Sequence, residues 1–377
     1  MSDALHIALI GAGHMGGSFA LALKEAHSHV SITAYDADGD QAALLQSRGG
    51  ADRVAESVAD AVRGADVVML ATPLRTYRAL ASEIAPYLGK HSIVTDLGSV
   101  KGSMEAIAPL LGTTRVVPGH PIAGGEKTGA AVARADLFNN RLCILTSGVD
   151  ALDAPTDTIG TLWHITGADV LRMPANVHDS IYAYVSHLPH LIAFVAAELL
   201  YQDGVRVADD AHVLHQFLRI SRSSPRMWSD IFLENREALL SALSTYIALL
   251  EHFVTELSSG KDAPHAVENV AERFVPRILA SCLISCVSLY EQQSAMSLRP
   301  FGAGGMRDIV APAAIDPEAG ELEAISKAAP LVAEALKRVL PLLREIESLI
   351  GAEDEAGLFD RLSQMVSHAH ALVSQRQ

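Results

Sequence analysis

Short apolar runs alternate with alanine-rich amphipathic stretches from Leu5 to about Thr146, the runs falling at His6–Ile10, Val30–Tyr35, Val67–Ala71, Ser92–Thr95, Arg115–Pro118 and Leu142–Leu145. Runs of this length separated by helical pattern predict a βαβ succession. Asp66-Val67-Val68-Met69-Leu70-Ala71 is continuously apolar after its first residue, the form of a parallel strand covered on both faces. After about Met173 the period changes: Ile181–Tyr201 and Ser229–Leu257 place apolar residues at helical spacing with almost no strand signal. The expectation is an α/β N-terminal domain over 1–172 and an all-α C-terminal domain over 173–377.

The helical part carries a faint internal echo. His187-Leu188-Pro189-His190-Leu191-Ile192-Ala193 is answered by Phe274-Val275-Pro276-Arg277-Ile278-Leu279-Ala280, and Phe217–Pro225 by Met306–Pro317. A degenerate repeat over about 262–377 and chance similarity between Ala- and Leu-rich helices both account for it. Residues 320–377 have the composition of packing helices.

A net charge of -15 without a basic stripe disfavours a nucleic-acid partner. Cys143, Cys282 and Cys286 are too few, and too apolar in setting, for a disulfide framework or a zinc site, which points to a reducing cytoplasm and no metal. No secretory leader pattern and no uninterrupted apolar run near ~18 residues is evident, so a soluble chain without a membrane partner is expected.

Candidate chemistry begins at the first strand. Ile7–Ile10 runs into Gly11-Ala12-Gly13-His14-Met15-Gly16 and then a helix-like Gly17–Leu23. Gly11 permits a tight turn, Gly13 lets backbone approach a pyrophosphate, Gly16 allows close helix–strand packing, and the helix N-terminus offers N–H groups to the anion. This is the Rossmann-type dinucleotide pattern. Asp36 ends the second strand, where a carboxylate bonds ribose hydroxyls and repels a 2′-phosphate, so NAD is expected rather than NADP. Thr72 and Pro73 follow the Val67–Ala71 strand, and Ser99 and Lys101 follow the next, at the sheet edge where ligands of such sheets bind; Ser99 and Lys101 are expected to face the nicotinamide end. His120, between Val116-Val117-Pro118 and a proline with two glycines, is expected on a constrained loop at that edge.

The run Gly119–Gly129, with Asp96-Leu97-Gly98-Ser99-Val100-Lys101-Gly102 before it and Ser186-His187-Leu188-Pro189-His190 after it, resembles the prephenate dehydrogenase family. Leu218-Arg219-Ile220-Ser221 through Pro225, Met227, Trp228 and Asp230-Ile231 is similar to that family's arginine-bearing segment, and the likeness covers roughly residues 5–255. The resemblance implies oxidative decarboxylation of prephenate, or of its amino analogue arogenate, with NAD. His120 would accept a hydrogen bond from the C4 hydroxyl and Ser99 would orient both. Arg219 would bind a carboxylate through its planar fork, His187 would line the substrate pocket, and Glu126 would gate or polarise it. It also implies a homodimer, although a duplicated helical half could satisfy the same surface within one chain. Three departures stand out. Gln216 replaces an acid expected to hold Arg219, Gly125 replaces a small hydroxyl residue near the substrate, and Gly304-Gly305-Met306-Arg307-Asp308 looks like the missing acidic piece displaced downstream, with Ala311 where an arginine would fall. A β-hydroxyacid-type dehydrogenase and a nucleotide-binding homologue without activity are the alternatives.

Overall fold

The computed structural model describes the chain except residues 1–4, 27–28, 114, 126, 147–153, 206, 208–211, 259–269, 299–300, 302–327 and 375–377, and the side chains of 212–213 and 270–274. Glu126, Arg307, Asp308, Ala311 and the Met306–Pro317 echo therefore lie outside the described residues. The chain divides into two compact units, Met1–Asp179 and Ser180–Gln377.

In the first unit β1 (Leu5–Ile10), β2 (Val30–Tyr35), β3 (Arg53–Val54), β4 (Val67–Leu70), β5 (Ile93–Asp96) and β6 (Val116–Val117) form one parallel sheet in the order β3-β2-β1-β4-β5-β6. The helices α1 (His14–Glu25), α2 (Gly39–Ser47), α3 (Val58–Val62), α4 (Tyr77–Ile84) and α5 (Gly102–Leu111) alternate with them. The chain leaves β1 in opposite directions, toward β2 on one side and β4 on the other, so the carboxyl ends of β1 and β4 part at a crevice. Register brings those ends level: Ile10 pairs with Tyr35 and Leu70, and Leu70 with Asp96. Val67, Val68, Met69 and Leu70 are fully buried, as their unbroken apolar run requires.

A second sheet was not foreseen. β7 (Gly119–Pro121) pairs antiparallel with β8 (Leu142–Leu145), which pairs parallel with β9 (Asp169–Arg172), and α6 (Ala154–Ile165) joins the last two. Leu142–Leu145 is thus a strand, but of this sheet rather than of the large one. The unit closes with the first turns of α7 (Ala175–Tyr182). Its boundary falls seven residues past 172 because His178 and Asp179 hydrogen-bond back to Lys101, Gly102 and His120.

The second unit is helical in its described residues: α8 (Leu188–Gln202), α9 (His212–Ile220), α10 (Pro225–Glu234), α11 (Arg236–Ser258), α12 (Val270–Ser294), α13 (Ala329–Gly351) and α14 (Glu355–Ser374). The predicted Ser229–Leu257 stretch is broken at Asn235 between α10 and α11. A π turn, Ala183–His187, links α7 to α8. Pro189 explains it: proline has no N–H to give the carbonyl four residues back and its ring presses on that carbonyl, so the turn before it opens. By length and mean hydropathy Ala175–Gln202 and Arg236–Ser258 could each cross a membrane, although neither is an uninterrupted apolar run, and 89% of the first window is buried inside the protein, as in a core helix. α8 packs mainly on α14 and α11 on α13.

Candidate active site

Two of the three loop glycines, Gly11 and Gly16, sit in contacts that only glycine tolerates. Gly11 has φ +105, and a Cβ there would lie 2.5 Å from the Ala71 carbonyl oxygen. A Cβ on Gly16 would lie 2.2 Å from the Gly11 carbonyl oxygen, so α1 is seated directly on the turn. At Gly13 a Cβ would meet nothing within 4 Å. Gly13 is the N-cap of α1 without a side-chain cap, so the helix begins with backbone donors aimed past an open position. Asp36 lies half-buried just after β2, its Oδ2 accepting from Ala12 N at 2.7 Å and its Oδ1 from Asp38 N at 2.9 Å. Thr72 Oγ1 bonds Thr76 Oγ1 at 2.7 Å, and Pro73 precedes a short 3-10 turn across the crevice. Met15 packs partly buried against the sheet core. This cradle has the donors, the open approach and the carboxylate that a dinucleotide requires.

The His14 imidazole stands beside the 119–129 segment: a Cβ on Gly125 would be 3.1 Å from its Cε1. Gly125, expected at the substrate, therefore abuts a predicted cofactor residue. Burial lowers the His14 pKa, the Lys127 backbone opposes it, and the Arg134 charge lowers it further. The same segment is tied to the nucleotide side by Gln41 Oε1, which accepts from Ala130 N at 2.8 Å, and by Arg48, which donates to the Ala130 and Ala133 carbonyls.

Asp96 and Lys101 form a fully buried pair. Lys101 Nζ donates to both Asp96 oxygens at 2.7 and 2.6 Å and to the Gly119 carbonyl at 2.6 Å. Asp96 also accepts from Gly98 N, Gly119 N and the Tyr77 hydroxyl. Lys101 thus does not face the cofactor, as the sequence suggested. It fixes Gly119, the residue before His120, to the end of β5. Ser99 sits half-buried in the intervening turn.

His120 is not on a loop but on β7, opposite Ile144. It is 8% exposed, and its Nδ1 lies 2.8 Å from His178 Nε2. His178 Nδ1 in turn lies 2.8 Å from Asp179 Oδ1. Asp179 Oδ1 accepts from Lys101 N and its Oδ2 from Gly102 N, both at 2.8 Å. Burial would raise the Asp179 carboxyl, but the His178 hydrogen bond and charge and the two backbone donors hold it below the ordinary value. Burial lowers His178 although Asp179 pulls it upward. Sequence reasoning missed both residues. The available signal was a His-Asp pair inside an otherwise apolar helical stretch.

In the second unit, His187 is buried, and Asn235 Nδ2 lies 2.9 Å from its Nδ1. His190 stacks on Trp228 with centroids 3.8 Å apart, and Trp228 meets His187 edge-on at 6.2 Å. Burial pushes the His190 pKa down to about 4, with the Ser186 carbonyl opposing and the Arg219 charge adding to the fall. Arg219, on the strongly amphipathic α9, gives its Nε to Gln216 Oε1 at 3.2 Å. Gln216, standing where an acid was expected, thus still accepts from the arginine, in a bond that the cationic donor makes charge-assisted.

A doubly wound parallel sheet, a glycine loop opening an uncapped helix and a buried histidine anchored through Gly119 to the carboxyl end of β5 define a dinucleotide-dependent oxidoreductase. The nucleotide-binding domain of prephenate dehydrogenase matches residues 19–172, and the prephenate dehydrogenase dimerization domain matches residues 174–274. Cyclohexadienyl dehydrogenase of Zymomonas mobilis is 34% identical over 273 residues, covering 71% of this chain and 93% of that enzyme. Prephenate dehydrogenase of Bacillus subtilis is 33% identical, covering 66% and 69%. The crystal structure of Aquifex aeolicus prephenate dehydrogenase with hydroxyphenyl propionate and NAD+ has 32% identity and a TM-score of 0.60, covering 67% of this chain and 90% of that one. The chain belongs to the prephenate dehydrogenase family and is an NAD-dependent oxidoreductase.

Proposed function

We propose that this enzyme oxidises prephenate with NAD+, giving 4-hydroxyphenylpyruvate, carbon dioxide and NADH, the step that commits the ring to tyrosine. The observation that carries the reading is His120, a buried imidazole on β7 whose neighbour Gly119 is bonded through Asp96 and Lys101 to the carboxyl end of β5, in the parallel sheet that also bears the nucleotide cradle. The relatives matched over most of the chain are named for prephenate and cyclohexadienyl substrates, which favours prephenate over arogenate.

Gly11, Gly13, His14, Met15, Gly16, Asp36, Thr72 and Pro73 would hold the dinucleotide, the α1 N-terminus offering donors to a pyrophosphate and Asp36 a carboxylate to ribose hydroxyls. NAD+ held there would supply the acceptor for the hydride of substrate C4. His120 takes a hydrogen bond from the C4 hydroxyl as that oxygen becomes a carbonyl, and Ser99 orients the hydroxyl. Arg219, steadied by Gln216, binds a substrate carboxylate, and His187, steadied by Asn235, contributes to the same recognition. Glu126 and Gly125 complete the proposed substrate set. The matched dimerization domain supports a homodimer, to be checked by sedimentation against the 40.0 kDa chain mass. A cytoplasmic setting agrees with three free, buried cysteines.

NADH formation is measured with prephenate and arogenate, each with NAD and NADP. Turnover of prephenate with NAD is expected, and His120→Asn should lower kcat by about 10²–10⁴-fold, the usual share of a positioned base. Full activity in that variant would remove His120 from the chemistry.

A further inference from the structure

We propose that His178 and Asp179 set the ring tautomer of His120, so that its Nε2 meets the substrate as a bare hydrogen-bond acceptor. The inference rests on the reading above, in which His120 receives the C4 hydroxyl.

The polarity is set at the fixed end of the chain of groups. Lys101 N and Gly102 N are backbone donors and cannot reverse, and they hold Asp179 through both of its oxygens. An ionised carboxylate only accepts, so the proton between Asp179 Oδ1 and His178 Nδ1 belongs to His178. A neutral imidazole protonated on Nδ1 is bare on Nε2. His178 Nε2 lies 2.8 Å from His120 Nδ1, a distance at which two bare nitrogens repel, so the proton there belongs to His120. Neutral His120 is then left with a bare Nε2. Three successive hydrogen bonds, each with one permitted direction, carry the polarity of a backbone turn to the reacting edge of the imidazole. His178 and Asp179 are therefore positioning residues.

The reaction needs that polarity. The hydride leaves C4, the ring carboxylate departs as carbon dioxide without hydrogen, and the hydroxyl hydrogen ends on the product phenol. It passes no further than His120, because a phenol, with its ordinary pKa near ~10, reclaims it from an imidazole. Burial, which keeps His178 weakly basic, prevents the proton from settling one residue deeper. Among the described residues, Asp96, Lys101, Cys143 and, against Asp179, Glu105 are titratable groups that bear on the pair.

The direct test is long-range 1H–15N NMR of histidine-labelled full-length protein without substrate, with His120 and His178 assigned from single His→Asn variants. Nδ1–H on both rings is expected, and an Nε2–H tautomer at His120 would overturn the proposal whatever the substrate proves to be. Kinetics supply the second arm. His178→Leu removes the acceptor and should lower kcat by about 10²-fold or more with KM little changed, whereas His178→Gln, whose Oε1 stands near the lost Nε2, should recover much of it. Asp179→Asn removes the charge beside the pair, so the acid limb of kcat should move to lower pH. Equal losses in the Leu and Gln variants, with an unmoved acid limb in Asp179→Asn, would reduce the pair to a structural contact and sink the inference.

Discussion

Lys101 keeps none of its side chain in water and directs its ammonium at Asp96 and Gly119. Cutting one half of such a pair strands the other charge, so Lys101→Met is expected to cost about 3–5 kcal/mol, while the double change Lys101→Met/Asp96→Asn should be milder. Thermal unfolding of the two variants side by side decides it. His190 provides a pH signature. Its folded pKa of about 4 lies below the ordinary 6.5, so the unfolded chain takes up the proton first. Stability from this group is therefore complete above pH 6.5 and is lost as pH falls toward 4, by about 3 kcal/mol in all. Urea midpoints across that window should slope in the wild type and flatten in His190→Gln. The glycine loop and Asp36 were legible because their demands are local: a turn, a close approach, a strand end. Lys101 was misplaced and Asp179 overlooked because their partners, Asp96 with Gly119 and the backbone of Lys101 and Gly102, become neighbours only when β5, β7 and α7 converge.

At the level of elements, long buried strands declared themselves by unbroken apolar runs, and five of the six that were foreseen lie in the large sheet. β3 (Arg53-Val54), β7 (Gly119-His120-Pro121) and β9 (Asp169-Val170-Leu171-Arg172) lack an unbroken apolar run, and exist because distant segments offer them backbone partners. His120 moved from an expected loop to a strand for that reason: β8, more than twenty residues on, supplies the ladder. α14 is held to α8 by polar groups as well as apolar ones. Glu198, buried on α8, accepts from Gln202 and is paired with Arg361 and with His368 Nδ1 at 2.5 Å. His368 also stacks on Tyr201 at 3.8 Å. Replacing Glu198 with Ala leaves Arg361 to its partners Glu345 and Gln364 and strips His368 and Gln202 of their buried acceptor, and should destabilise the helical unit by about 1–3 kcal/mol. Limited proteolysis is expected to release α14 first, and an unchanged digestion pattern would refute the assignment.

For the chain as a whole, the family match ends at residue 274, whereas α13 and α14 continue to Ser374. They are not appendages. Val332, Leu336, Val339, Leu343 and Ile346 are buried as α13 lies along α11, whose Leu239, Leu243, Tyr246 and Leu250 are buried in turn. Net charge acts at this scale too. A chain of charge -15 repels a doubly negative substrate over a screening length of about 30 Å at 10 mM salt and about 8 Å at 150 mM. kcat/KM for prephenate should therefore rise between those salt levels, and a fall would mean that local cations such as Arg219 dominate the approach.

The grip on Gly119 has a consequence for motion. Its amide is given to Asp96 and its carbonyl receives Lys101, although it stands at the very start of a three-residue strand, where fraying is usual. Hydrogen exchange at this amide should then be as slow as in the centre of the large sheet, since releasing it means breaking a buried ion pair rather than lifting a strand end. The histidine next to it inherits that stillness, and its alignment is settled before any substrate arrives.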